Sequence, residues 1–155
     1  MIGTQIIIST EPQGKFIEGI VSGTPKPGTF MEVVPAVART QAGWKWRAST
    51  KTTGNPRNIV VLLEDKLQGK IYSDAYEDAT KCFLYRPTGG EIIHGLVLDV
   101  AGTGSTDIHA VGDLMAINNA GKLVADAAYT FPQLTLKEAV GPMTADTLAA
   151  VMVND

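Results

Sequence analysis

Ser105, Asp107 and His109 bring the three residue types of a nucleophilic triad into one short stretch. Their alternate spacing would set all three on one face of an extended strand. Same-face neighbours along a strand stand about 6.6 Å apart at the backbone, whereas a triad needs hydrogen bonds of about 2.6–3.2 Å and an oxyanion site built from distant parts of the chain. The spacing therefore predicts a polar loop, since Ser, Thr, Asp and Gly all favour turns. Cys82, His94 and His109 are side chains that bind transition metals, but no two of them stand at a chelating spacing. His94 shares strand parity with Ile92, Leu96 and Leu98, which predicts a structural histidine. Cys82, the sole cysteine, reads as a small core or interface side chain. Gly102-Thr103-Gly104 lacks the third glycine, the following helix and the lysine of a phosphate-binding loop, and is read as a loop. The acidic pairs Glu64-Asp65 and Glu77-Asp78, with Asp74 nearby, lack the calcium-loop pattern. They are read as surface loops or inter-subunit salt bridges. No catalytic residue, cofactor or metal is expected.

The elements that must carry these residues are short. Strand-favouring runs recur at Phe16 to Val21, Thr29 to Val34, Trp44 to Arg47, Ile59 to Leu63, Lys81 to Arg86, Glu91 to Val100, Leu114 to Ile117 and Lys122 to Ala125, with Gly and Pro punctuating most gaps. Many short strands at this spacing predict an all-β fold, a small barrel or sandwich. Helical candidates are Ser73 to Thr80, opened by a Ser73 cap, and Thr144 to Met152, which reads equally as a closing strand. Trp44 and Trp46 share one strand face, opposite Lys45 and Arg47. Both serve either as core fillers or as interface anchors; an aromatic platform for sugars or single strands is the minor alternative.

Composition narrows the partners. The chain has 155 residues and suits one domain burying roughly 70% of its unfolded surface. A net charge of -3 supplies no basic footprint for nucleic acid. Its apolar runs of about five residues fall far short of the roughly 18 that span a bilayer, so no membrane partner is expected. The N-terminus lacks the pattern of a signal peptide. One cysteine cannot close an intramolecular disulfide, and stability must come from packing or association. Residues 1–14 read as an N-terminal arm ahead of a single β-rich domain at 15–155. In the arm, Ile6-Ile7-Ile8, with Phe16 at its root, forms an isolated apolar triplet suited to packing on a neighbouring subunit, or else is the first strand of the sheet.

Four segments carry a resemblance: Lys26-Pro27-Gly28-Thr29-Phe30-Met31-Glu32, the stretch from Asn58 to Val100, Gly112-Asp113-Leu114-Met115 and Gly121-Lys122-Leu123. With these the chain resembles the capsid decoration, or cement, proteins of tailed bacteriophages over roughly Lys26 to Val153. The resemblance implies a compact β-tulip type domain with an extended N-terminal arm and at most one or two short helices. It further implies trimers on the outer face of the expanded capsid, bound to the major capsid protein and to each other, stabilising the head against packaged DNA; such a protein is made in the host cytoplasm. It implies a closing strand rather than a helix after Lys137-Glu138-Ala139-Val140. The polar stretch Ala48 to Arg57 and the Ala-rich end depart from the pattern. With Trp44 and Trp46, the arm residues Ile6, Ile7 and Ile8 and Phe16 at the root of the arm form the expected partner contacts. Two other classes fit the composition: another virion module, such as a tail tube, head fibre or glycan binder, and a small β-barrel enzyme acting on nucleotides.

Overall fold

The computed structural model describes residues 6–8, 12–50, 59–98, 108–125, 134–141 and 145–154. Among them the chain is almost entirely β. Strands run over β1 (Lys15–Val21), β2 (Met31–Val33), β3 (Trp44–Ala48), β4 (Val61–Leu62), β5 (Lys81–Arg86), β6 (Ile92–Val97), β7 (Leu114–Ile117), β8 (Leu123–Ala125), β9 (Leu134–Leu136) and β10 (Thr147–Val153), with one 3-10 turn at Lys66–Gln68. The first five form a curled sheet in the order β2-β3-β1-β5-β4, and the last five close a barrel in the order β10-β6-β8-β7-β9.

Strand parity explains the apolar run from Ile59 to Leu63. Ile59, Val61 and Leu63 join a large core shared with the barrel, among Phe30, Tyr85, Ile93, Val97, Leu123, Leu136 and Val151. Val60 and Leu62, of opposite parity, enter a second core on the other face with Val21, Met31, Trp46, Tyr76, Cys82 and Leu84. A strand buried on both faces carries no polar alternation, and this run shows none. In β5 the same rule sends Tyr85 to the first core and Cys82 and Leu84 to the second.

Residues 28–31 join the two sheets. The Gly28 N–H donates to the Leu62 carbonyl at 2.9 Å, and the Gly28 carbonyl accepts from the Leu96 N–H of β6 at 3.0 Å. Leu62 N–H returns to the Thr29 carbonyl and Met31 N–H donates to Val60, both at 2.9 Å, so the curled sheet meets itself where β4 adjoins the approach to β2. Between them the Phe30 N–H donates to the Gly121 carbonyl beside β8, and its carbonyl accepts from Ser49. The Phe30 ring lies over Gly95, where any Cβ would stand 2.9 Å from the ring and 2.6 Å from Leu123 Cδ1. Glycine is the residue that lets Phe30 seat against β6 at this distance.

Two expectations are corrected or resolved. Ser73 to Thr80 is not a helix but successive turns, with the Asp74 carboxylate accepting from the Ile71 N–H, the Thr80 hydroxyl donating to the Glu77 carbonyl and Ala79 at φ 62°. Side chains here offer the backbone alternatives to a helical ladder. Tyr76 fixes them by sinking into the second core, where its hydroxyl donates to the Leu63 carbonyl at 2.9 Å. The segment near Thr144 to Met152 resolves as the strand β10, paired along six residues with β6; Thr144 itself lies outside the described residues.

Replacing the fully buried Phe30 by Ala is expected to cost about 4 kcal/mol, the large-to-small penalty for a core aromatic. Urea unfolding checks this, with the same change at exposed Phe16 costing about 1 kcal/mol or less as the internal comparison.

Candidate functional site

Ile6–Ile8 lies along the chain's own β6. Ile6 is fully buried in the first core, its carbonyl accepts from the His94 N–H at 2.7 Å, Ile7 bridges Ile93 and the Ile8 N–H donates to the Ile92 carbonyl. A carboxylate completes the attachment, Glu64 Oε1 accepting from the Ile6 N–H at 2.7 Å. Farther along, the Gln13 N–H donates to Glu91 Oε1 at 2.9 Å and the Gly14 N–H to the Tyr85 hydroxyl at 2.7 Å.

Glu91 is buried and fully engaged. Oε1 also accepts from the Tyr85 hydroxyl at 2.6 Å, while Oε2 accepts from the Thr88 N–H at 2.6 Å and from the Thr88 hydroxyl. Burial alone would raise its pKa, but the hydrogen bonds from Tyr85, Thr88 and Gln13 outweigh this and hold it below the ordinary value of 4.5. The same arrangement pushes the Tyr85 phenol up to about 12, through burial first and its bond to the Glu91 carboxylate second. This is a structural clamp: the carboxylate is saturated by groups of its own chain.

Between the N-terminal segment and the curled sheet runs an open groove of about 670 Å³. Its apolar walls include Ile7, Phe16, Leu63, Leu67 and Phe83, with Glu18, Glu64 and Lys66 among its polar lining. Phe16, 59% exposed, packs on Tyr85 with the rings tilted by 41° and their centroids 4.9 Å apart, and Leu67 is 83% exposed. Glu18 is engaged by Lys81 at 3.2 Å, an exposed pair.

Of the six residues expected to meet a partner, Ile6 and Trp46 are taken up by packing within the chain, Ile7 is partly buried against the first core, and Ile8, Phe16 and Trp44 remain exposed. Trp46 packs across β1 at Gly19, where a Cβ would fall 2.5 Å from its ring. Cys82 is buried in the second core and burial lifts its thiol to about 12. His94 stands on β6, and His109 is buried at the edge of the barrel, exchanging two 2.9 Å backbone bonds with Val140. Ser105, Asp107 and the 102–104 loop lie outside the described residues, so His109 is the described member of that trio. Among the described residues no three His, Cys, Asp or Glu side chains are grouped to hold a metal. Asp65 is buried rather than on the surface expected of it, because its carboxylate accepts from the Gln68 N–H and starts the 3-10 turn.

No family model matches the chain, and no curated protein matches it in sequence. Among solved structures the fold is similar to that of the N base of the head fibre gp8.5 of bacteriophage phi29. The TM-score is 0.56 over 92% of this chain and 95% of that one, at 7% identity. At that identity the likeness is one of fold alone.

Glu91→Gln is expected to destabilise the protein by about 3 kcal/mol, since an amide cannot accept along both edges as the charged carboxylate does. Because folding lowers its pKa, Glu91 contributes fully above 4.5 and progressively less as pH falls through the folded value. The variant should therefore lose part of the wild-type stability gained as pH rises through that range, measured by urea midpoints from pH 3 to pH 7. Cys82 should stay unreacted toward a disulfide reagent at about pH 8 until the chain is unfolded, which a timed thiol assay with and without denaturant reads directly.

Proposed function

We propose that this chain is a structural component of a bacteriophage head that binds the outer surface of the expanded capsid as a trimer and stabilises it against the pressure of packaged DNA. The supporting observation is the fold shared almost end to end with the base of a phage head fibre. The resemblance in sequence to capsid decoration proteins points to the same location. Physically the role asks for a stable β body and complementary surfaces. Modest contacts repeated by symmetry act together through multivalency, and no catalytic group is needed. The partners in this reading are the major capsid protein and two further copies of the chain. The groove at Phe16, together with exposed Ile8 and Trp44, supplies apolar surface on which such contacts form.

A second reading, the base of a head fibre, is favoured by the structural neighbour, which is itself such a base. The two differ in copy number. Co-sedimentation of the purified chain with expanded and unexpanded shells of its own phage, with bound copies counted against the major capsid protein, is expected to give saturable binding to expanded shells near one copy per capsid subunit. Saturation at a small fraction of that number favours the fibre base. Absence of binding to either shell removes both.

A further inference from the structure

β1 is paired along only part of its second edge. β5 runs beside it from Lys15 to Ile20, whereas β3 meets it from Gly19 to Val21. Backbone groups alternate sides along a strand. The Ser22 N–H reaches the Trp46 carbonyl on the β3 side and the Val21 N–H reaches Thr80 on the β5 side. The even-numbered residues of β1 therefore point away from β5. This leaves the N–H and C=O of Phe16 and the N–H of Glu18 beyond the end of the β1–β3 pairing, and among the described residues neither a strand pairing nor a loop backbone bond reaches them on that side. Phe16, Ile17 and Glu18 also line the apolar groove. The open edge and the groove thus meet at the exposed Phe16 ring.

We propose that this edge of β1 receives an extended segment of a shell subunit as an added strand, a step that rests on the capsid-binding reading above. Donor, acceptor and donor in succession along one strand form half of a β-ladder, and an extended polypeptide is the partner that completes it. A side chain placed opposite Phe16 on that added strand would share its face and lie against the Phe16 ring, which lines the groove. The segment is therefore one that carries a large apolar residue at that position.

The test uses the full chain and expanded shells of its phage. Phe16→Pro removes the outward N–H while sparing the β1–β5 ladder, a position where proline is tolerated in a strand. Phe16→Lys keeps the N–H and removes the ring. Both are expected to weaken shell binding by about tenfold or more with the melting temperature little changed. In the wild-type chain the Phe16 and Glu18 amides should become protected from hydrogen exchange when shells are bound, a readout that stands even where a variant folds poorly. Variants that bind as tightly as wild type, or amides that exchange unchanged in the bound state, overturn the added strand and leave capsid binding intact. A wild-type chain that binds no shell overturns both.

Discussion

Residues 28–31 carry the hydrogen bonds on which the rest of the structure depends. Over four residues the backbone bonds in turn to β4, β6, the turn before β8 and the residue after β3, so the two sheets are joined by backbone hydrogen bonds as well as by side chains. An isolated curled sheet of five short strands would expose both the apolar face toward the barrel and an unpaired edge at β4. The stitch covers both at once: its backbone occupies the edge, and Phe30 fills the space above Gly95. The first core is consequently continuous from the barrel interior to the sheet, and Phe30 touches both.

The second edge of β6 follows the same pattern. Its successive outward N–H groups, on His94, Leu96 and Leu98, are met by the carbonyls of Ile6, Gly28 and Leu123, three segments far apart in sequence. A barrel strand with no full-length neighbour on that side remains satisfied because each segment supplies one bond. Glu64 and Glu91 extend the principle to groups that no strand reaches. Each takes a backbone N–H of the N-terminal segment, and both are therefore structural acceptors, where a search for paired acids would have looked for chemistry.

Much of this is legible in the residues. β5 and β7 coincide with the runs Lys81 to Arg86 and Leu114 to Ile117, because both are short, apolar and bounded by turn residues. β9 gives no such signal: three residues, Leu134-Thr135-Leu136, carry too little alternation to register, and its existence rests on pairing with β7 and β10. The acidic Ser73 to Thr80 segment suggests a helix because its cap and carboxylates are local signals, whereas Tyr76, which decides its path, acts through a core made by distant strands. Glu91 has a faint signal in the spacing Thr88 to Glu91, which matches a side chain reaching back to an N–H three residues earlier. Its bonds to Gln13 and Tyr85 have no local signature, since they join positions that only the fold brings together.

The apolar triplet at the N-terminus shows why surface function is harder to read than fold. An isolated Ile6-Ile7-Ile8 is as consistent with a neighbour's surface as with the chain's own, because hydrophobic burial is non-directional and does not record whose surface is covered. In the structure Ile6 is enclosed by its own core while Ile8 faces outward, so one apolar signal divides between stability and recognition within two residues. The same division separates Trp46 from Trp44 and Tyr85 from Phe16, in each case a buried member beside an exposed one. The buried partner holds its exposed neighbour in place: the Tyr85 ring, fixed through its hydroxyl by Glu91 and Gly14, supports the Phe16 ring at the groove. An aromatic side chain so supported loses less conformational freedom on association, and recognition by this surface would begin from a ring already in position.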